Sequence, residues 1–201
     1  MVDAVPLPSS CIPALVDALR NDPFYAAITA DFAHDAAQRH ATLARYLAYA
    51  QDEAARSGRC VLAPDATQGA ALWLLPGTAA QQAADSAAKA HFLATALGPQ
   101  GLENYHRIVG FMGPRAEALV DASDWYLSIL GIAPAAQNTG LGARLLRATL
   151  AEADAAGVGS YIETFEPRNI RFYARLGYAT LGVFAEPVTG CDYTLMRRPA
   201  A

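Results

Sequence analysis

The chain has 201 residues, enough for one domain with a substantial core. Its 53% hydrophobic and 17% charged content marks a globular rather than a disordered chain. The formal net charge of −4, with no basic run, argues against a nucleic-acid surface and favours cationic over polyanionic substrates. No stretch approaches the apolar length of a membrane span, and residues 1–10 lack the basic start and apolar run of a signal peptide, so a cytoplasmic protein is expected. Cys11, Cys60 and Cys191 are far apart and fit neither a zinc spacing nor a disulfide framework, so isolated reduced thiols and no metal are expected.

In chain order, any strand within residues 4–7 is short because of Pro6. Ile12–Leu19 reads as a short helix, bounded by Asp22-Pro23 because a residue before proline avoids helical geometry. Phe24 and Tyr25 follow beside this turn, as pocket lining or as anchors of the loop to the core. Residues 36–56 form a long helix with Leu43 and Leu47 on one face, Tyr46 and Ala50 beside them, and Ser57-Gly58 at its end. Residues 60–63 and 70–75 read as a hairpin with a long polar loop. Residues 78–97 are an alanine-rich helix, residues 98–101 a break, and residues 102–112 another helix carrying Glu103 and His106.

Residues 124–133 are a long strand stopped by Pro134. Residues 141–156 form a helix in which Leu141, Leu145, Thr149 and Ala153 repeat every four residues, Leu146 and Leu150 widen the face, and Gly157 sits just past the end. Ser160–Thr164 is a strand, and residues 167–176 are a short helix with proline near its start and Gly177 after its end. Residues 178–185 and 192–197 are two last strands, paired antiparallel. The class is mixed α/β, with a parallel crossover from the long strand through a helix to Ser160–Thr164.

The crossover carries the most informative stretch, Gln137-Asn138-Thr139-Gly140-Leu141-Gly142. A glycine-containing turn between strand and helix aims several backbone N–H groups, with the positive end of the helix dipole, at one point. Such a turn can hold a phosphate or pyrophosphate, and Gly140 and Gly142 leave room for close approach. The alternative is a simple helix start capped by Asn138 or Thr139.

Two motifs resolve this choice. Gln137-x-x-Gly140-x-Gly142 resembles the pyrophosphate turn of the GCN5-related N-acetyltransferase (GNAT) superfamily. Asn169 followed by Phe172-Tyr173 and Leu176-Gly177-Tyr178 resembles its second signature. Within the superfamily the chain is most similar to the puromycin N-acetyltransferase branch. The shared phrases are Trp125-Tyr126-Leu127, Leu130-Gly131-Ile132, Ile162-Glu163-Thr164, Pro167-Arg168-Asn169, the run from Phe172 to Tyr178 and the ending Met196-Arg197-Arg198-Pro199. The resemblance is continuous from about residue 125 to the end; before that it covers Ala71-Leu72-Trp73.

The resemblance implies a single domain over residues 1–201 of α/β (α+β) class, with a centrally splayed mixed sheet flanked by helices. Residues 1–123 would supply acceptor-side helices and a hairpin, and residues 124–201 the acetyl-CoA-binding core. It implies acetyl-CoA as co-substrate, without metal, and a small-molecule primary amine as acceptor, an amino-bearing antibiotic among the candidates; a protein or peptide acceptor and a non-catalytic CoA-binding module are the alternatives. No nucleic acid or membrane partner is implied, and the chain is expected as a monomer or homodimer.

By the same resemblance Leu130, Gly131 and Ile132 pair with the pantetheine arm, although Gly131 alone also reads as a bulge or packing gap. Gln137, Asn138, Thr139, Gly140, Leu141, Gly142 and Ala143 hold the pyrophosphate; Gln137 stands where arginine is common, offering hydrogen bonds without charge. Phe172 and Asn169 lie at the cofactor, Asn169 with helix capping as its other role. Tyr173 is the expected general acid toward the departing thiolate, against a packing role on the face of Ile170 and Leu176. Glu163 is the expected base or water-orienting group, with a raised pKa, against a charge pair with Arg168 or Arg171. Glu103, Asp124 and Glu166 are weaker alternatives, and His106, near Glu103, is the one histidine considered for a role. Phe24, Tyr25, Tyr46 and Trp73 are candidate walls of the acceptor pocket, each also readable as core.

Overall fold

Hydrophobic periodicity sets the elements of the computed structural model, which describes residues 10–201; the short strand considered at residues 4–7 lies outside them. The helices are α1 (Ile12–Leu19), α2 (Pro23–Ile28), α3 (Ala36–Ser57), α4 (Ala79–Ala96), α5 (Pro99–Glu117), α6 (Leu141–Ala155) and α7 (Pro167–Ala174). The strands are β1 (Gly58–Leu62), β2 (Gly69–Leu74), β3 (Trp125–Ile132), β4 (Ser160–Thr164), β5 (Ala179–Glu186) and β6 (Cys191–Arg198). They form one sheet in the order β1-β2-β3-β4-β6-β5, antiparallel except for β3 beside β4. This is the mixed, splayed sheet expected.

Two places depart from the expected elements. Phe24 and Tyr25 lie in α2 rather than beside a turn: Asp22 caps that helix, its carboxylate accepting from the Phe24 N–H at 2.9 Å, and Pro23 opens it. Residues 98–101 do not break the chain for long, since α5 starts at Pro99 and runs to Glu117, through Pro114. Its first turn is satisfied from a distance. The Asp31 carboxylate accepts from the N–H groups of Gln100 at 3.2 Å and Gly101 at 2.6 Å. A cap supplied from 70 residues upstream leaves no local signal.

The sheet is covered on both sides. On one face α1 and α3 pack Leu15, Leu43, Tyr46 and Leu47 against Ala70, Leu72 and Ile129. On the other, α6 packs Leu141, Leu145, Leu146 and Leu150 against Ala71, Trp73, Leu127 and Ile162. The third cluster, around Ile108, Phe165, Tyr193 and Leu195, seats α5 over the β4–β6 part of the sheet. Strand β2 alternates cleanly between the two faces. Strand β3 does not, because its register with β2 skips a residue: Leu72 pairs with Ile129 and Trp73 with Leu127, leaving Ser128 as a bulge. The bulge turns Leu127 and Ile129 to opposite faces although they are two residues apart.

The bulge stands where the sheet opens. Strands β3 and β4 pair only through Trp125 with Ser160 and Tyr126 with Tyr161. Beyond these pairs β4 stays bonded to β6 as far as Thr164, and β3 stays bonded to β2 as far as Ile132. Between them lies a wedge-shaped gap in the middle of the sheet, with one unpaired edge of each strand facing it.

Candidate active site

A cavity of about 550 Å³ opens at this gap. Tyr126, Ser128 and Leu130 of β3 line one side, and Tyr161 and Glu163 of β4 the other. Phe24, Tyr25 and Tyr46 form the wall over it, joined by Tyr105 of α5. Phe24 meets Tyr25, Tyr46 and Tyr105 edge-on, with ring centroids 5.2, 6.2 and 6.1 Å apart. Three of the four expected wall residues therefore do line the cavity. Trp73 does not: it is fully buried on the α6 face of β2, on the other side of the sheet from Phe24 and Tyr25.

Two carboxylates in the cavity wall have raised pKa values. Glu163 is pushed up to about 7 from 4.5 by burial, against the lowering effect of a hydrogen bond from the Tyr126 hydroxyl at 3.2 Å to Oε2. Its Oε1 is buried with no protein partner. The charge pair considered with Arg168 or Arg171 is absent, because Arg168 turns to Glu166 at 3.4 Å. Asp22 rises to about 6, again through burial, with Glu166 nearby adding to the shift. The one lysine in the lining, Lys89, is bonded at 2.8 Å to Glu53. The cavity is thus aromatic, and its carboxylates Asp22 and Glu163 have no ion-pair partner, whereas Asp121 and Asp124 at its edge are held by Arg197. In sequence Asp22 reads only as a boundary, and no local pattern marks Tyr105, Tyr126 or Tyr161 as lining.

The other carboxylates considered are occupied elsewhere. Asp124 is held by Arg197 through contacts of 2.5 and 3.0 Å. Glu103 and Arg107 approach to 3.8 Å at the surface of α5. His106 is exposed on the same helix and does not line the cavity.

Tyr173 enters from the opposite side of the gap. It is 93% buried, by its 7% exposure, in the α6-side core, with its ring edge-on to Phe172 and Tyr178. It also lines the cavity. Packing and a site role are therefore combined in one side chain. Burial, with Tyr178 beside it, raises its pKa well above the ordinary phenol range, so the hydroxyl keeps its proton throughout neutral pH. Asn169 shares the lining and donates to Thr164 Oγ1 at 3.3 Å. It does not cap α7, whose N-cap position is Glu166 without a side-chain bond.

The glycine turn is built as an uncapped helix start. Gly140 is the N-cap of α6, with φ +79° and no side-chain capping bond. Neither Asn138 nor Thr139 caps the helix: Asn138 takes φ +61°, and Thr139 Oγ1 donates back to the Ala136 carbonyl at 2.8 Å. The N–H groups of Leu141, Gly142 and Ala143 precede the first helical bond, which Arg144 donates to Gly140. Gln137 ties its amide to the Ile132 carbonyl at 3.0 Å, so it holds the turn to β3. Arg144 folds over the turn instead, donating to the Thr139 carbonyl at 3.0 Å. It supplies the positive charge that Gln137 lacks. Phe172 backs the turn, with a ring atom 3.3 Å from where a Cβ on Gly142 would stand.

Leu130 and Ile132 pack toward α6, and Leu130 also lines the cavity. At Gly131 the packing alternative is what the fold shows. A Cβ there would stand 2.4 Å from Leu15 Cδ2, so the glycine makes room for α1, on the packing side of β3. The β4-side backbone edge of β3 beyond Tyr126 is the part left open, and it leads from the cavity toward the turn.

The donor set fits an acyl-CoA: an unpaired strand edge for amides, free helix N–H groups with Arg144 for a pyrophosphate, and a buried cavity for the reacting end. Among the described residues no group of three metal-ligating side chains occurs, and no helix is long and apolar enough to cross a membrane.

Comparison with known proteins agrees with this geometry. The family model described as acetyltransferase (GNAT) domain matches residues 89–180. A structure described as histone acetyltransferase HPA2 and related acetyltransferase, from Corynebacterium glutamicum, is 23% identical with a TM-score of 0.63, over 97% of this chain and 95% of that one. The protein PH1933 of Pyrococcus horikoshii shares the fold at 9% identity and a TM-score of 0.55, over 100% and 97% of the two chains. The chain therefore has the GNAT fold, and its residues 89–180 match the GNAT acetyltransferase domain.

Proposed function

We propose that the protein is an acetyl-CoA-dependent N-acetyltransferase acting on the primary amine of a small, cationic molecule with an apolar or aromatic body. The observation that carries this reading is the unpartnered Oε1 of Glu163 in a cavity that Tyr173 also lines. An amine attacks only when neutral, and a carboxylate with a pKa of about 7 is matched to take its proton near neutral pH. The amine nitrogen then bonds to the acetyl carbon, the carbon–sulfur bond breaks, and the Tyr173 hydroxyl protonates the departing thiolate. The nitrogen's excess proton leaves to solvent, which reprotonates Tyr173, and Glu163 releases its proton to solvent as the products leave.

Acetyl-CoA supplies the activated acyl group. The residues that would hold it are the open edge of β3 near Leu130, the turn from Gln137 to Ala143, and Arg144. Asn169 and Phe172 flank the same region. Much of the acceleration would come from holding amine and thioester in line.

The lining supports the acceptor class. Rings at Phe24, Tyr25, Tyr46 and Tyr105 offer faces and edges to a flat or apolar body, and Asp22 and Glu163 favour a cation. An amino-bearing antibiotic has this chemistry, in keeping with the resemblance to the puromycin branch.

The test is thiol release from acetyl-CoA over a panel of puromycin, aminoglycosides, polyamines, amino acids and short peptides, with Tyr173→Phe in parallel. A selective amine with turnover lowered roughly 100-fold in the variant is expected, the usual size of a general-acid contribution. Preference for peptides would move the reading to a protein acceptor. Failure to bind CoA by calorimetry would remove it.

A further inference from the structure

Tyr126 occupies the last paired position of β3 before the gap, opposite Tyr161. The two rings stack, with centroids 4.7 Å apart and planes 16° from parallel. This stack fixes the phenol, and its hydroxyl donates to Glu163 Oε2 at 3.2 Å. The terminal torsion of a glutamate is otherwise soft, so an anchored oxygen decides where the second one points. Here the second oxygen, Oε1, is left without a partner in a residue that lines the cavity.

We propose that Tyr126 is the positioning residue for Glu163: it anchors one carboxylate oxygen so that the other faces the acceptor amine. The proposal rests on the reading of Glu163 as the base that takes the amine's proton, but the contact itself can be tested without turnover.

The surroundings leave this role to Tyr126. The titratable groups that face Glu163 are Tyr161 on its own strand and Tyr193 on β6. Glu117 of α5, Asp22 before α2 and Lys89 of α4 line the same cavity, and Lys89 is engaged by Glu53. Phenols and carboxylates do not favour a charged glutamate; a hydrogen bond donated to it does. Burial keeps the Tyr126 phenol protonated far above neutral pH, so the donor is present wherever the base is ionised.

The test is a carbon-13 NMR titration of protein labelled at the glutamate carboxyl carbons, with Glu163→Gln assigning the resonance. The wild-type midpoint is expected near 7. In Tyr126→Phe, which keeps the stacked ring, it should move up by about one pH unit, a tenfold loss of the ionised form at a fixed pH below the midpoint. Tyr161→Phe keeps the anchoring bond and should leave the midpoint in place. The acid limb of kcat/KM should move with the midpoint in Tyr126→Phe, and the plateau at high pH should stay below that of the wild type, because the ionised carboxylate is no longer anchored.

An unchanged Glu163 midpoint in Tyr126→Phe would overturn the proposal, as would full recovery of activity at high pH, which would leave Tyr126 tuning the carboxylate without orienting it. Should that variant not fold, 3-fluorotyrosine at position 126 gives the opposite signal: a stronger donor must lower the midpoint, and an unmoved one sinks the idea. A shifted midpoint in an enzyme that acetylates nothing on the panel would keep the contact and remove the proposed function.

Discussion

The two ends of the β3–β4 pair make opposite use of the same residue types. At the closed end, Asp124 is held by Arg197 at 2.5 and 3.0 Å and accepts from the Asp121 N–H at 3.0 Å. Ser160 and Tyr178 share a buried hydrogen bond of 2.8 Å. At the open end Glu163 keeps one oxygen unpartnered, and Tyr173 brings its phenol to the cavity. Both carboxylates sit beside β3 and β4, the one parallel pair among the described residues. A paired strand edge satisfies its polar groups within the fold, and a diverging one leaves them to a ligand. The closed end should therefore govern stability, and the open end chemistry.

Removing the cation at the closed end should have the largest effect. Arg197→Met strands Asp124, whose side chain is 1% exposed, and should lower unfolding free energy by roughly 3–5 kcal/mol, read from urea or thermal melts. Glu163→Gln at the open end should leave stability at pH 8 equal or slightly higher, since it removes a buried charge without a counter-ion. Its turnover with the best amine of the panel should fall roughly 100-fold or more. Equal destabilisation by both variants would dissolve the contrast between the ends.

A pH series sharpens the same point. Folding raises the Glu163 pKa from 4.5 to about 7, so between those values the folded chain holds a proton that the unfolded chain has released. The stability from this group is complete below pH 4.5 and is lost as pH rises through 7, by on the order of 3 kcal/mol. Asp22, raised to about 6, acts in the same direction. Glu163→Gln should flatten the fall in stability between pH 5 and 8. Activity runs the other way, rising through the same interval as the base ionises. A wild-type protein that gains stability across it would contradict the buried, unpaired state of Glu163.

The closed parts of the fold were the more legible in sequence. The six residues assigned to the inner face of α6, from Leu141 to Ala153, are all buried, because a helical repeat depends on local spacing alone. The two short motifs led to Gly140 and Tyr173 for the same reason. What escaped depends on distant chain. Trp73 was grouped with Phe24 and Tyr25, yet the sheet stands between them, and a single strand does not reveal which helix covers which face. Ser128 interrupts alternation only through its register with β2. The start of α5 is held by Asp31, and the charge over the glycine turn is that of Arg144, while Gln137 is tied to Ile132. Asp22 reads as a helix boundary and is one, but burial also makes it part of the cavity.

Two glycines on the proposed cofactor path, Gly131 and Gly140, give the smallest and most discriminating test. A Cβ at Gly131 would press on Leu15 Cδ2, the movable end of a side chain, so Gly131→Ala should cost about 1–2 kcal/mol of stability while CoA affinity holds. A Cβ at Gly140 would meet Arg144 Nη1 at 3.6 Å, an ordinary contact, but φ is +79°, so Gly140→Ala should cost about 1 kcal/mol through the backbone and weaken CoA binding as the turn relaxes. The two variants thus separate packing from ligand contact at similar cost in stability. If calorimetry instead shows CoA affinity falling in Gly131→Ala and holding in Gly140→Ala, the cofactor runs along the α1 side of β3. The open edge facing β4 would then need another occupant.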